Sequence, residues 1–311
     1  MEAWCGTSLA ARCPFHDSGH RFSCHLSLTN PLARCPILPL PAAPGFCETL
    51  AGRTLLLLGD SVSRQMYNTA RCHACADKSA RAAACTAAAP TPRAFTSEWE
   101  AFPKTLPVCT DFGAGCGRVC YLTAGSRGSR GFASVAAALG RFFNGSASSD
   151  ATVIVANDGL WFTNGERWSS VVRAAHERAR DVIAAWRALQ RRRACLLWRE
   201  TSPQDFASPS GAFPGGGVSK YRGWKLGAAC ESHATVASPW EPVHERLERG
   251  GIAFVRIWNW SRAHYASHVG NATAHAAGTS IFDCTHYCTP GPVDAWMRLT
   301  LTAIATACPR R

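Results

Sequence analysis

Three short segments of this chain bring together residue types suited to acyl transfer. The first is Gly59-Asp60-Ser61-Val62-Ser63-Arg64, which directly follows an apolar run. A serine at a strand-to-helix turn presents its hydroxyl outward, and the helix start offers backbone amides to an anion. The same tripeptide is an ordinary helix N-cap sequence. The second is Asn157-Asp158-Gly159-Leu160-Trp161. An asparagine NH2 at that level can donate to a developing oxyanion, and the same residues suit an Asx turn closing a strand. The third runs from Asp283 through Cys284, His286, Cys288 and Pro290 to Trp296. A serine nucleophile needs a base, and the base needs a partner that fixes its tautomer. Asp283 and His286, three residues apart on one loop, can fill those two roles. The competing reading is a cysteine-bounded surface loop with one of the chain's eleven histidines in it.

Such residues work only if a scaffold delivers them to one place. Thr54-Leu55-Leu56-Leu57-Leu58 reads as a strand buried on both faces, and Val62 to Arg71 as the helix after it. Residues 72–117 are rich in Cys, Ala, Pro and Gly, with a weak strand at 118–122. A helix is expected over 132–143 and a second buried strand over 151–156. Trp168, Ala175, Ala179, Val182, Trp186 and Leu189 recur at helical spacing. A strand at 194–198 precedes a Pro/Gly-rich loop that runs to Gly217. A helix over 242–249, a strand over 252–257 and a closing helix over 293–308 follow. Strands alternating with helices predict an α/β domain with a mostly parallel sheet and helices on both faces. Ligands in such folds bind beyond the carboxyl ends of the strands. Ser61 and Asn157 stand at two of those ends.

Composition narrows the class. The chain has 311 residues, 47% hydrophobic and 17% charged, which fits a packed globular domain. Net charge is +12, but only Lys78, Lys104, Lys220 and Lys225 are lysines among 33 basic residues. Arginines scattered among alanines argue against a nucleic-acid surface, and a neutral or acidic polymer is the better partner. Sixteen cysteines and sequons at Asn144, Asn259 and Asn271 point to disulfides and the secretory pathway. Cys72-His-Ala-Cys75 has zinc-ligand spacing, but no second pair follows it, so no metal is expected. Met1 to Cys5 has neither a basic nor an apolar leader region, and no stretch has the length of a membrane span. A signal or anchor is therefore expected upstream. Residues 1–50 carry five cysteines and several prolines and read as a disulfide-stapled extension, leaving 51–311 as the catalytic domain.

Taken together, Gly59 to Arg64, Arg199-Glu-Thr-Ser-Pro-Gln-Asp-Phe206 and Asp283 to Trp296 resemble the PC-esterase branch of the SGNH hydrolases. Within it, they look most like the trichome birefringence-like polysaccharide O-acetyltransferases. The resemblance covers residues 53–311 in patches. It implies a three-layer α/β/α SGNH-like fold, with Ser61 as nucleophile and Asp283 and His286 as its acid and base. It implies an oxyanion role for Asn157, with Gly59 and Asp60 in the nucleophile turn and Arg199 near the site. It implies no cofactor, an acetyl donor, a glycan acceptor and a Golgi location, with a carbohydrate acetylesterase or a catalytically silent glycan-binding protein as alternatives. Two blocks depart from the family: Asn157-Asp-Gly-Leu-Trp161 replaces Asn-Thr-Gly-His-Trp, and Ser202-Pro-Gln-Asp205-Phe206 replaces Ser-Pro-x-His-Phe. Both bear on acceptor choice. Gly125, Gly128 and Gly131 are the candidates for an oxyanion-hole glycine.

Overall fold

The computed structural model describes residues 43–77, 85, 107–124, 134–144, 152–160, 168–190, 194–206, 230–232, 238–268, 284–287 and 291–309. These form a six-stranded sheet with helices on both faces. The strands are β1 (Thr54–Gly59), β2 (Val108–Asp111), β3 (Arg118–Thr123), β4 (Thr152–Ala156), β5 (Cys195–Arg199) and β6 (Ala253–Val255). The helices are α1 (Phe46–Leu50), α2 (Ser61–Ala76), α3 (Val135–Asn144), α4 (Trp168–Leu189), α5 (Glu241–Arg249), α6 (Trp258–Arg262) and α7 (Pro292–Ala307).

The strand order is β2-β3-β1-β4-β5-β6. Every neighbouring pair is parallel except β2 with β3, which is antiparallel. β1 is central because it is apolar throughout, and all six of its residues are buried. Successive side chains of a strand point to opposite faces. Leu55 and Leu57 accordingly pack with Val62 and Met66 of α2 and Trp296 and Met297 of α7. Leu56 and Leu58 pack on the other side with Leu139 of α3, Val182 of α4 and Leu247 of α5. The molecule is a three-layer sandwich. After β3 the chain crosses β1 to reach β4, so the direction of winding reverses between β1 and β4. Ligand sites of such sheets lie at that reversal.

Most expected elements are present with boundaries shifted by a few residues. Two differ more. β2 is a short edge strand alternating between half-buried and exposed, a pattern too weak to stand out in a Cys/Pro-rich stretch. α1 lies on the extension side of residue 51, yet its Phe46, Cys47 and Leu50 are buried in the core of the sandwich. Residues 1–42 lie outside the described residues.

Five disulfides join described residues: Cys47–Cys116, Cys75–Cys85, Cys109–Cys120, Cys195–Cys308 and Cys230–Cys284. Cys72 is disulfide-bonded as well, so the Cys72/Cys75 pair is used in cross-links and holds no free thiolates. This density of cross-links suits an oxidising, secreted environment. Asn144 and Asn259 are exposed, as glycan attachment requires; Asn271 lies outside the described residues. Among the described residues no helix is long and apolar enough to cross a membrane.

Cys195–Cys308 closes a loop spanning 113 residues and pins the end of α7 to the start of β5. Replacing both cysteines by alanine is expected to cost about 2–5 kcal/mol, chiefly through the freer unfolded chain. Urea unfolding of the folded double variant checks this. Wild-type stability in the variant would contradict the bridge.

Candidate active site

The turn that carries Ser61 is built by the end of β1. Its last residue, Gly59, admits no side chain: a Cβ there would run into Ser63 Oγ and lie 2.9 Å from the Asn157 carbonyl oxygen. Asp60 then caps α2, its Oδ1 accepting from the amides of Val62 (3.0 Å) and Ser63 (3.3 Å). Capping occupies two of the amides that a helix start leaves unpaired. The Ser61 amide, at the first position of the helix, has no acceptor among the described residues. Tyr121 of β3 steadies the turn from below, its hydroxyl donating to the Asp60 carbonyl at 3.1 Å. Thr123 in turn donates to that hydroxyl at 3.1 Å. Burial pushes the Tyr121 phenol up to about 12, so it remains a donor at neutral pH.

Ser61 and His286 meet directly. His286 Nε2 lies 2.6 Å from Ser61 Oγ, and both residues are buried. That is the spacing a general base needs to take the hydroxyl proton. The loop bearing His286 is tied to α2 by Gln65, whose Nε2 donates to the Tyr287 carbonyl (2.8 Å). Its Oε1 accepts from the Tyr287 amide (3.4 Å). Tyr287 is buried and donates from its hydroxyl to the Pro203 carbonyl at 3.2 Å. Asp283 lies outside the described residues, as do Gly125, Gly128, Gly131 and Cys288. Cys284 is bonded to Cys230, so the stiffening of this loop comes from a strap to a distant segment.

Arg199 ends β5 beneath the turn that carries Ser61. Its Nη2 donates to Ser63 Oγ at 3.4 Å and lies 4.0 Å from Asp60 Oδ1, with the guanidinium over the Trp296 ring. Burial lowers its pKa to about 10 against the opposing pull of Asp60 and Tyr287, which leaves it charged at neutral pH. It holds the turn rather than facing solvent. Asn157 follows β4, and its Nδ2 donates to the Arg199 carbonyl (3.0 Å) and to Thr201 Oγ1 (3.4 Å). Those bonds couple the ends of β4 and β5. An oxyanion role for Asn157 therefore requires its amide to leave at least one of these acceptors.

Of the expected site residues, Gly59, Asp60, Ser61, Asn157, Arg199 and His286 fall in one neighbourhood at the carboxyl edge of the sheet. Sequence reasoning passed over Gln65, Tyr121 and His268. None sits in a motif, and each acts through contacts made only after folding.

Glu200, Glu241 and His244 offer ligand atoms within 4.8 Å of one another. Arg256 already pairs with Glu200 (2.9 Å) and Glu241 (3.3 Å). The other Glu200 oxygen accepts the Ile257 and Trp258 amides, each at 2.6 Å. Both carboxylates are thus already paired with a guanidinium. No family model matches the chain, and no curated protein matches it.

Asp158, next to Asn157, has a side chain only 6% exposed and pairs with Arg178 at 3.1 Å. Burial raises its pKa to about 7 despite the opposing pull of Arg178. A carboxyl unfolds to a pKa of about 3.9, so the folded state holds the extra proton between these values. Its stabilising contribution is complete below about pH 4 and is lost as pH rises towards about 7. Urea unfolding of wild type and Asp158→Asn across that range should show the wild type losing stability relative to the variant as pH rises. Parallel curves would contradict the burial argument.

Proposed function

We propose that the chain is a serine-dependent O-acyltransferase of the SGNH type that moves an acetyl group to a glycan hydroxyl through a Ser61 acyl-enzyme. The observation that carries this reading is the 2.6 Å contact between Ser61 Oγ and His286 Nε2, at the point where the sheet's winding reverses. The resemblance of Gly59–Arg64, Arg199–Phe206 and Asp283–Trp296 to the polysaccharide O-acetyltransferases of the PC-esterase branch supports the substrate class. The cystine-rich composition supports a secretory location, with the Golgi lumen as the compartment that resemblance favours.

In the proposed mechanism, neutral His286 accepts the Ser61 proton as Oγ attacks the donor carbonyl, with Asp283 fixing the imidazole. The oxyanion of the tetrahedral intermediate is met by the free Ser61 amide at the positive end of α2. Collapse expels the donor's leaving group, which takes the proton from His286. An acceptor hydroxyl then attacks acetyl-Ser61, losing its proton to His286, and the reversed steps release the ester. Water in place of the acceptor gives acetate, and that is the acetylesterase reading. A glycan-binding protein without catalysis would have no need of a buried serine–histidine contact.

Ser61→Ala should lower turnover of an activated acetyl ester by several orders of magnitude, the scale seen when a triad member is lost. His286→Ala should be comparably impaired, and the double variant should be little worse than either. Near-wild-type turnover in Ser61→Ala would overturn the reading. Adding oligosaccharide should divert acetyl from acetate to sugar ester, because a bound hydroxyl is oriented where water is not. Acetate as sole product over a broad acceptor panel, with cleavage of acetylated glycans, would select the esterase.

A further inference from the structure

His268 and Asp205 form a buried pair beside the loop that carries His286. His268 follows the 3₁₀ turn Tyr265–Ser267, and Asp205 lies in the segment after β5. Both are almost fully buried, at 0% and 1% exposure. His268 Nε2 lies 2.8 Å from Asp205 Oδ2, and its Nδ1 lies 3.0 Å from the His286 carbonyl oxygen. The imidazole also lies against Tyr287 at 4.0 Å between ring centres, the rings tilted by 31°, and residues 268 and 287 form an isolated antiparallel bridge.

The proton count follows from the acceptors. A carbonyl oxygen only accepts, so Nδ1 carries a hydrogen and donates it to His286. Nε2 and Asp205 Oδ2 then share one further proton. Whichever of the two holds it, the Nδ1–H remains directed at the His286 backbone. Asp205 is fixed in turn, its amide donating to the Cys284 carbonyl (3.1 Å) and its carbonyl accepting from Glu231 (2.9 Å). The Cys230–Cys284 bridge closes the same small assembly.

We propose that His268, aimed by Asp205, is a positioning residue that sets the backbone of His286 so that its Nε2 reaches Ser61. The proposal rests on the reading of Ser61 and His286 as the catalytic pair. Gln65 fixes residue 287 from the α2 side, and His268 fixes residue 286 from the opposite strand partner. A base held from one side alone would swing, and small displacements of a reacting group are costly.

Two substitutions separate the roles of the two nitrogens. In His268→Asn the side-chain amide stands near the Nδ1 position and keeps the donor to His286. In His268→Gln it stands near the Nε2 position and keeps only the link to Asp205. With p-nitrophenyl acetate, His268→Gln should lose kcat by about 30-fold or more, with KM within about threefold. His268→Asn should recover most of that loss. A pair that served stability alone would be spared best by the glutamine, and equal losses, no loss, or a loss confined to KM would overturn the proposal. If either variant fails to fold, the comparison is repeated in an Asp205→Asn background, where no buried charge is left unpaired.

Hydrogen–deuterium exchange provides an arm independent of turnover. Amides of residues 284–287 should exchange faster in His268→Gln than in His268→Asn or wild type, and equal exchange would overturn the proposal. Should the wild type show no Ser61-dependent turnover, the catalytic reading falls, while the exchange data still decide whether His268 holds the loop.

Discussion

Ser61 Oγ and His286 Nε2 lie 2.6 Å apart although 225 residues separate them in the chain. Neither residue is held by its own neighbours alone. Ser61 takes its place because β1 runs through the centre of the sheet and stops at a glycine, where no side chain keeps the chain from folding into α2. His286 takes its place because the loop before α7 is gripped by Gln65, by His268 and by the Cys230–Cys284 bridge. The contact is thus a property of the whole sandwich.

The polar groups under the Ser61 turn show how a candidate site can be tied to its scaffold without being opened to water. Asp60, Arg199, Ser63 and Asn157 are all buried and bonded to one another or to nearby backbone. A buried charge is tolerated only when paired, and Arg199 near Asp60 meets that condition while spanning the ends of β1 and β5. Removing one member would leave the other stranded, so these residues couple the integrity of the fold to the geometry of the site. On the other face of the sheet Asp158 pairs with Arg178, whose guanidinium is partly exposed.

The scaffold was legible in the chain because its strongest signals are those of burial. The leucine run of β1 and the helical recurrence along α4 are patterns that packing demands and that few other structures satisfy. β2 was not legible, since a four-residue edge strand buries little and needs no apolar alternation. Within the candidate site, Ser61 and His286 stood out only through the combination of three segments, since each segment alone reads equally well as a cap, a turn or a surface loop. His268 carried no such signal: it is one of eleven histidines and acts through a carbonyl oxygen that any residue supplies. Asp205 surfaced only as a departure from a family motif. Its partner became visible when the fold brought position 268 to 2.8 Å from it.

The central claim is that Ser61 carries the acyl group between donor and acceptor. The most direct test mixes excess p-nitrophenyl acetate with the wild-type protein, quenches in acid within milliseconds, and maps the peptides by mass. The account predicts near-stoichiometric acetylation of the peptide containing Ser61, built up in a burst of nitrophenol and discharged when oligosaccharide is added. Turnover without an acetylated Ser61, or a stable acetyl group on another residue that forms at the same rate, would contradict it.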